Sequence, residues 1–139
     1  MRLTTTGSDP IISLSTNISF KGSVFRYLLI RYRVVSGNPG DCQVFYRTAG
    51  HDWSASYYNA ATMVTDSEWH LMMLDMGNLQ AGGTDWLNSQ IINIRFDLAF
   101  GSGVVIDLDY LGFARRLVFN RGSYEVKPRR WNIDLCEII

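Results

Sequence analysis

The run "VVIDLDYLGF" (residues 104–113) alternates side chains with a period of two, and four other runs do the same. "RYLLIRYRVV" (26–35) puts Arg31 and Arg33 opposite Ile30, Tyr32 and Val34. "CQVFYRT" (42–48) puts Gln43, Phe45 and Arg47 opposite Cys42, Val44 and Tyr46. "EWHLMMLDM" (68–76) sets Trp69, Leu71, Met73 and Asp75 against His70, Met72 and Leu74. "QIINIRFDLAF" (90–100) sets Asn93, Arg95 and Asp97 against Ile92, Ile94 and Phe96. Successive side chains on a strand point to opposite faces, so each run predicts a strand with two distinct faces. Shorter strands are expected at 11–14, 17–20 and 56–60, with edge pieces near 117–119 and 133–138. Turn chemistry fills the gaps, in "SGNPGD", "AGHDWS", "TDS", "GNLQAGGTDW" and "FGSG". No stretch keeps a helical period over three turns. The expected class is all-β, a two-sheet antiparallel β-sandwich with a C-terminal extension.

At 139 residues, with 47% hydrophobic and 19% charged residues, the chain suits one domain with one core. No apolar run approaches the ~20 residues of a membrane helix. The opening "MRLTTTGSDP" lacks an apolar h-region, so no signal peptide is expected. Cys42 and Cys136 have no partners at metal spacing and read as reduced packing residues.

A formal net charge of zero argues against a whole-domain nucleic-acid binder. The charge is uneven, however. Between residues 114 and 131 lie Arg115, Arg116, Arg121, Lys127, Arg129 and Arg130 against Glu125 alone. The boundary reads as a body over 1–116 and an arm over 117–139. Arg115, Arg116, Arg129, Arg130 and Trp131 would dock the arm onto an acidic neighbour, or the arm is simply solvated.

Asp107 and Asp109 share one side of their strand, roughly 7 Å apart. Glycosidases use paired carboxylates, but one of the pair needs a raised pKa, and nearby arginines act the other way. Arginines are available on the same kind of row: Arg31, Arg33, Arg47 and Arg95. If the strands are neighbours, these residues share one sheet face with Asp97, Asp107 and Asp109, as cross-strand ion pairs. The two histidines, His51 and His70, sit in no nucleophile elbow, and His51 reads as a ligand contact rather than a base. Zinc spacing is absent from the sequence. Calcium would draw oxygens from Asp9 with Asp107 or Asp109. Trp53, Tyr57, Tyr58 and Trp86 fall in or beside loops, where rings stack on sugars, although Trp86 and Trp69 equally suit plugs for the sandwich ends.

The series "YLLIRYRVVSG", "CQVFYRTAG", "SEWHLMMLDM" and "TDWLNSQIINIRFDLAFGSGVVIDLDYLGF" resembles the β-jelly-roll carbohydrate-binding modules with a galactose-binding-like fold. The likeness runs over about residues 7 to 114 and lies in the order of the patterns. It implies two sheets, a face that binds glycan, and a structural calcium joining the first and last strands, for which Asp9 and Asp109 match the positions. Similar modules occur in bacteriophage tail and head proteins. The expected function is therefore a non-catalytic glycan binder on a particle surface such as a virion. Its glycan contacts would be Trp53, Tyr57, Tyr58, Trp86, Arg31, Arg33, Arg47 and Arg95. The alternative is a purely structural virion or assembly protein, meeting neighbouring copies or other virion proteins through the arm. Neither a membrane nor nucleic acid is expected as a partner.

Overall fold

The computed structural model describes residues 1–115 and the strand segments Arg129–Arg130 and Cys136–Ile138. The strands are β1 (Arg2–Thr4), β2 (Ile12–Leu14), β3 (Phe20–Lys21), β4 (Tyr27–Ser36), β5 (Asp41–Arg47), β6 (Tyr58–Thr62), β7 (His70–Asp75), β8 (Gln90–Ile91), β9 (Asn93–Asp97), β10 (Val105–Ala114), β11 (Arg129–Arg130) and β12 (Cys136–Ile138). A single helical turn, α1 (Asp85–Asn88), interrupts them.

Two antiparallel sheets pack as a sandwich. The first runs β1-β10-β4-β7 and the second β2-β9-β5-β6, while β3 and β8 form a small separate ribbon. The eight main strands pair first with last and inward: β1 with β10, β2 with β9, β4 with β7 and β5 with β6. That winding, with successive pairs alternating between sheets, is a jelly roll. β11 adds to β10 at Gly112 and Phe113, and β12 adds to β2, so each sheet gains a fifth strand from the chain's end. The edge piece expected near 117–119 lies outside the described residues.

The apolar rows face inward as the alternation predicts. Leu28, Ile30, Tyr32 and Val34 of β4 meet Cys42, Val44 and Tyr46 of β5, Ile94 and Phe96 of β9, and Ile106 and Leu108 of β10. The β10–β4 ladder departs from strict alternation at two register shifts, at Val105/Ile106 and at Leu108/Tyr110. Asp109 is an extra residue in β10, because Leu108 pairs with Tyr32 and Tyr110 with Arg31. This β-bulge reverses the parity beyond it, so Leu111 and Phe113 enter the core in place of Tyr110. Both tryptophans proposed as plugs resolve differently. Trp86 is fully buried at one end, its Nε1–H donating to the Phe25 carbonyl at 3.0 Å. Gly22 lets it in: a Cβ there would lie 1.8 Å from the Trp86 carbonyl oxygen. Trp69 instead lies exposed on the first sheet.

Candidate functional site

The outward face of the first sheet is a lattice of ion pairs. Register places Asp107 beside Arg2 and Arg33. Its carboxylate accepts from Arg2 at 2.7 and 2.9 Å and from Arg33 at 2.7 Å. These bonds, Arg2's first, hold the carboxyl well below the usual carboxylate range. That is the direction opposite to what a general acid requires. Asp109 accepts from Arg31. The two guanidiniums then lie over the Trp69 ring, at 4.8 Å from Arg31 and 5.1 Å from Arg33.

The second sheet's outward face is different. Cross-strand register sets Ser13, Arg95, Phe45 and Tyr58 in one row over four strands. Arg95 makes a fork to Asp97, whose side chain is only 2% exposed, and lies 4.9 Å over the Phe45 ring. Burial pushes the Asp97 carboxyl up, against the lowering by Arg95. Phe45 stacks on Tyr58 at 5.4 Å. One row along, Arg47 covers Trp53 at 5.5 Å and approaches Asp52 at 3.7 Å. The Trp53 indole N–H is buried without an acceptor among the described residues. Such an orphan donor is uncommon, and Arg33 Nε on the first sheet is another.

The loop that carries Trp53 also walls a cavity of about 260 Å³. Thr48 Oγ1 accepts from the Gly50 and His51 amides, which closes the loop tightly. His51 lies flat on Tyr57, ring centroids 3.7 Å apart and planes within 8°. Its Nδ1 faces the Asp52 carbonyl at 2.9 Å and its Nε2 faces Asp85 at 3.0 Å. Asp85, from α1, also accepts from the Tyr46 hydroxyl at 2.9 Å. Burial first, then that bond to Asp85, push the Tyr46 phenol up. Thr48, Ser89 and Gln90 add hydroxyl and amide groups to the wall. The arrangement sets polar groups in a shallow hollow beside aromatic rings.

The residues nominated from sequence therefore divide. Arg47, Trp53, Tyr58 and Arg95 gather on the second sheet's face and its loop, and Tyr57 lines the adjoining cavity. Arg31 and Arg33 belong to the opposite sheet, so the expected single face of arginines and aspartates is two faces. The jelly-roll order causes this, since β4 and β5 lie in different sheets, as do β9 and β10, instead of pairing. Trp86 offers no surface for stacking, because its burial is complete. Arg115 is described, exposed and over Phe25 at 5.3 Å. Arg129 and Arg130 are described as a strand on β10, while Arg116 and Trp131 lie outside the described residues. The carboxylates named for calcium are not brought together: Asp9 stands 4.0 Å from Arg95 of the second sheet, and Asp109 bonds Arg31 of the first. Among the described residues no group of three acidic, histidine or cysteine side chains is placed to hold an ion.

Sequence reasoning missed Phe45 and Asp85. Phe45 did carry a signal, as an aromatic on the polar row of its strand. Asp85 carried none, since the turn "GTDW" does not reveal that its carboxylate reaches Tyr46 and His51. No family model, curated protein or solved structure matches the chain. What stands is the architecture: two antiparallel four-stranded sheets packed as a sandwich, each extended by one C-terminal strand.

Proposed function

We propose that the chain is a non-catalytic glycan-binding β-sandwich of the carbohydrate-binding-module type, carried on a particle surface such as a virion. One observation carries the reading: Arg47, Trp53, Tyr58 and Arg95, drawn from three strands and one loop, gather on the second sheet's outward face, and the loop that carries Trp53 also walls the His51–Tyr57–Asp85 cavity. Sugar recognition asks for this combination. Ring faces take the apolar side of a pyranose, and arginine, carboxylate and amide groups bridge its hydroxyls. The small cavity suits a single terminal sugar, with the sheet face taking the next units of the glycan.

A glycan array probed with the full chain, with calcium and again with chelator, tests this. Binding is expected with and without chelator. Trp53→Ala should lose it while the melting temperature stays within a degree or two of wild type, because Trp53 lies outside the core cluster. Silence of the folded protein across the array overturns the reading, and so does full retention by Trp53→Ala.

A further inference from the structure

We propose that two copies of this chain join edge to edge through β7, pairing antiparallel about a two-fold axis at Met72. β7 is the last strand of its sheet, with β4 on one side only. The ladder decides which of its backbone groups are free. The Met76 N–H donates to the Arg26 carbonyl at 2.9 Å, so these two form a hydrogen-bonded pair. Alternation along an antiparallel ladder then makes Leu28–Leu74, Ile30–Met72 and Tyr32–His70 the bonded pairs. The N–H and C=O groups of Leu71, Met73 and Asp75 consequently point away from β4. The Asp75 carbonyl agrees with this, since it accepts the Asn59 side-chain amide from the other sheet at 2.9 Å. Leu71 and Met73 keep their outward groups open, with no bond to them from another described residue.

An open edge with apolar side chains is a template for another strand, and proteins normally blunt it with charge, proline or a bulge. This edge has none of these at its centre. Leu71 and Met73 are 50% and 44% exposed, and Trp69 beside them is 39% exposed. The spacing of the free groups selects the partner. When Leu71 faces Met73 of a second copy, and Met73 faces its Leu71, all four free groups of each strand are paired at once. Met72 then meets Met72 on the axis as the intervening non-bonded pair. A shift by two residues in either direction leaves Leu71 or Met73 facing Asp75 or Trp69 and wastes bonds. A shift by one puts outward side chains against inward ones. The rest of the register is also compatible. Trp69 meets Asp75 of the other copy, whose carboxylate is already held by Arg26 of its own chain. Arg31 and Arg33 over the Trp69 ring are held by Asp109 and Asp107, so no unpaired charge is trapped there. Glu68 meets Met76, His70 meets Leu74, and no like charges oppose each other along 68–76. A self-complementary patch of this kind is what a two-fold dimer requires.

Sedimentation of the full chain over a concentration series reads the result. A monomer–dimer equilibrium is expected for wild type. Met73→Pro removes an N–H that points away from β4, so the fold keeps its own ladder, and proline is tolerated on such an edge. Losing two bonds per dimer should weaken association by about ten- to a hundredfold. Leu71→Lys, which leaves the backbone intact, should weaken it as well and decides the matter if the proline variant fails to fold. Met72→Cys should give a covalent dimer on oxidation, because non-bonded antiparallel pairs approach to disulfide range. A wild type that is monomeric at every concentration overturns the proposal. So does a dimer that survives both edge variants, or one in which Met72→Cys fails to cross-link.

Discussion

Arg95→Ala gives the sharpest test of how the second sheet is held together. In the native chain Arg95 grips the Asp97 carboxylate with two bonds, at 2.7 and 2.5 Å, and Asp97 is almost wholly buried. Removing the guanidinium leaves a buried charge with its main partner gone. Breaking a buried pair from one side costs about 3–5 kcal/mol. The lost cation–π contact with Phe45 adds about 0.5–1 kcal/mol. The contact with exposed Asp9, at 4.0 Å, adds next to nothing. A loss of about 3–6 kcal/mol is a large share of the ~5–15 kcal/mol typical of a domain.

The pH dependence sharpens the same test. Burial already raises the Asp97 carboxyl above its ordinary value. A raised acid contributes stability that is fully present below its unfolded pKa and is lost as pH rises through the folded one. Without Arg95 the folded value climbs further, so the deficit of Arg95→Ala should be largest at neutral pH and shrink on acidification. Urea unfolding of wild type, Arg95→Ala, Asp97→Ala and the double variant, at pH 7 and near pH 4, measures this. The double variant should recover much of the single variant's loss, because no charge is then stranded. A cost under about 1 kcal/mol at neutral pH with an unchanged m-value would refute the reasoning.

Asp107 should behave in the opposite sense. Its carboxyl is depressed by Arg2 and Arg33, so its contribution is present above the unfolded value near pH 4 and lost as pH falls through the folded one. Asp107→Asn should therefore be less stable than wild type at neutral pH and converge on it in strong acid, as followed by thermal melts across the acid range. Cys42 is fully buried and its thiol is pushed up to about 12 by desolvation. It should resist a thiol reagent at neutral pH in the folded protein and react on denaturation, and rapid labelling of Cys42 in native protein would contradict the packing.

The sandwich was legible because the long strands, such as 27–36 and 105–114, cannot bury their apolar rows in any other regular form. β1 was not legible. "RLT" is three residues with one apolar side chain, and it is a strand because Arg2 reaches Asp107 and Leu3 enters the core. The bulge at Asp109 was equally hidden, since an alternating run carries no mark of the residue that will be squeezed out of register. The site was half legible. Local pattern exposed the rings and arginines as residues a core does not need, but which sheet each belongs to is a matter of winding. Arg33 and Arg47 stand 14 positions apart on similar strands and end on opposite faces. The Asp97–Arg95 fork, by contrast, lies within one strand, two residues apart, where the period of two already places both side chains on one side.

The jelly-roll winding also sets when this protein can fold. β4 is flanked by β10 and β7, and β1 is held by β10 across a sequence separation of 105 residues at the Arg2–Asp107 bond. Until β9 and β10 leave the ribosome, β4 and β5 have exposed edges and an uncovered apolar row. At a synthesis rate of about 5–20 residues per second that interval lasts several seconds, long compared with hairpin formation in about 1–10 μs. Folding dominated by such distant pairings proceeds in about milliseconds to seconds. A strand edge left uncovered for that interval is open to pairing with another chain before it pairs within its own.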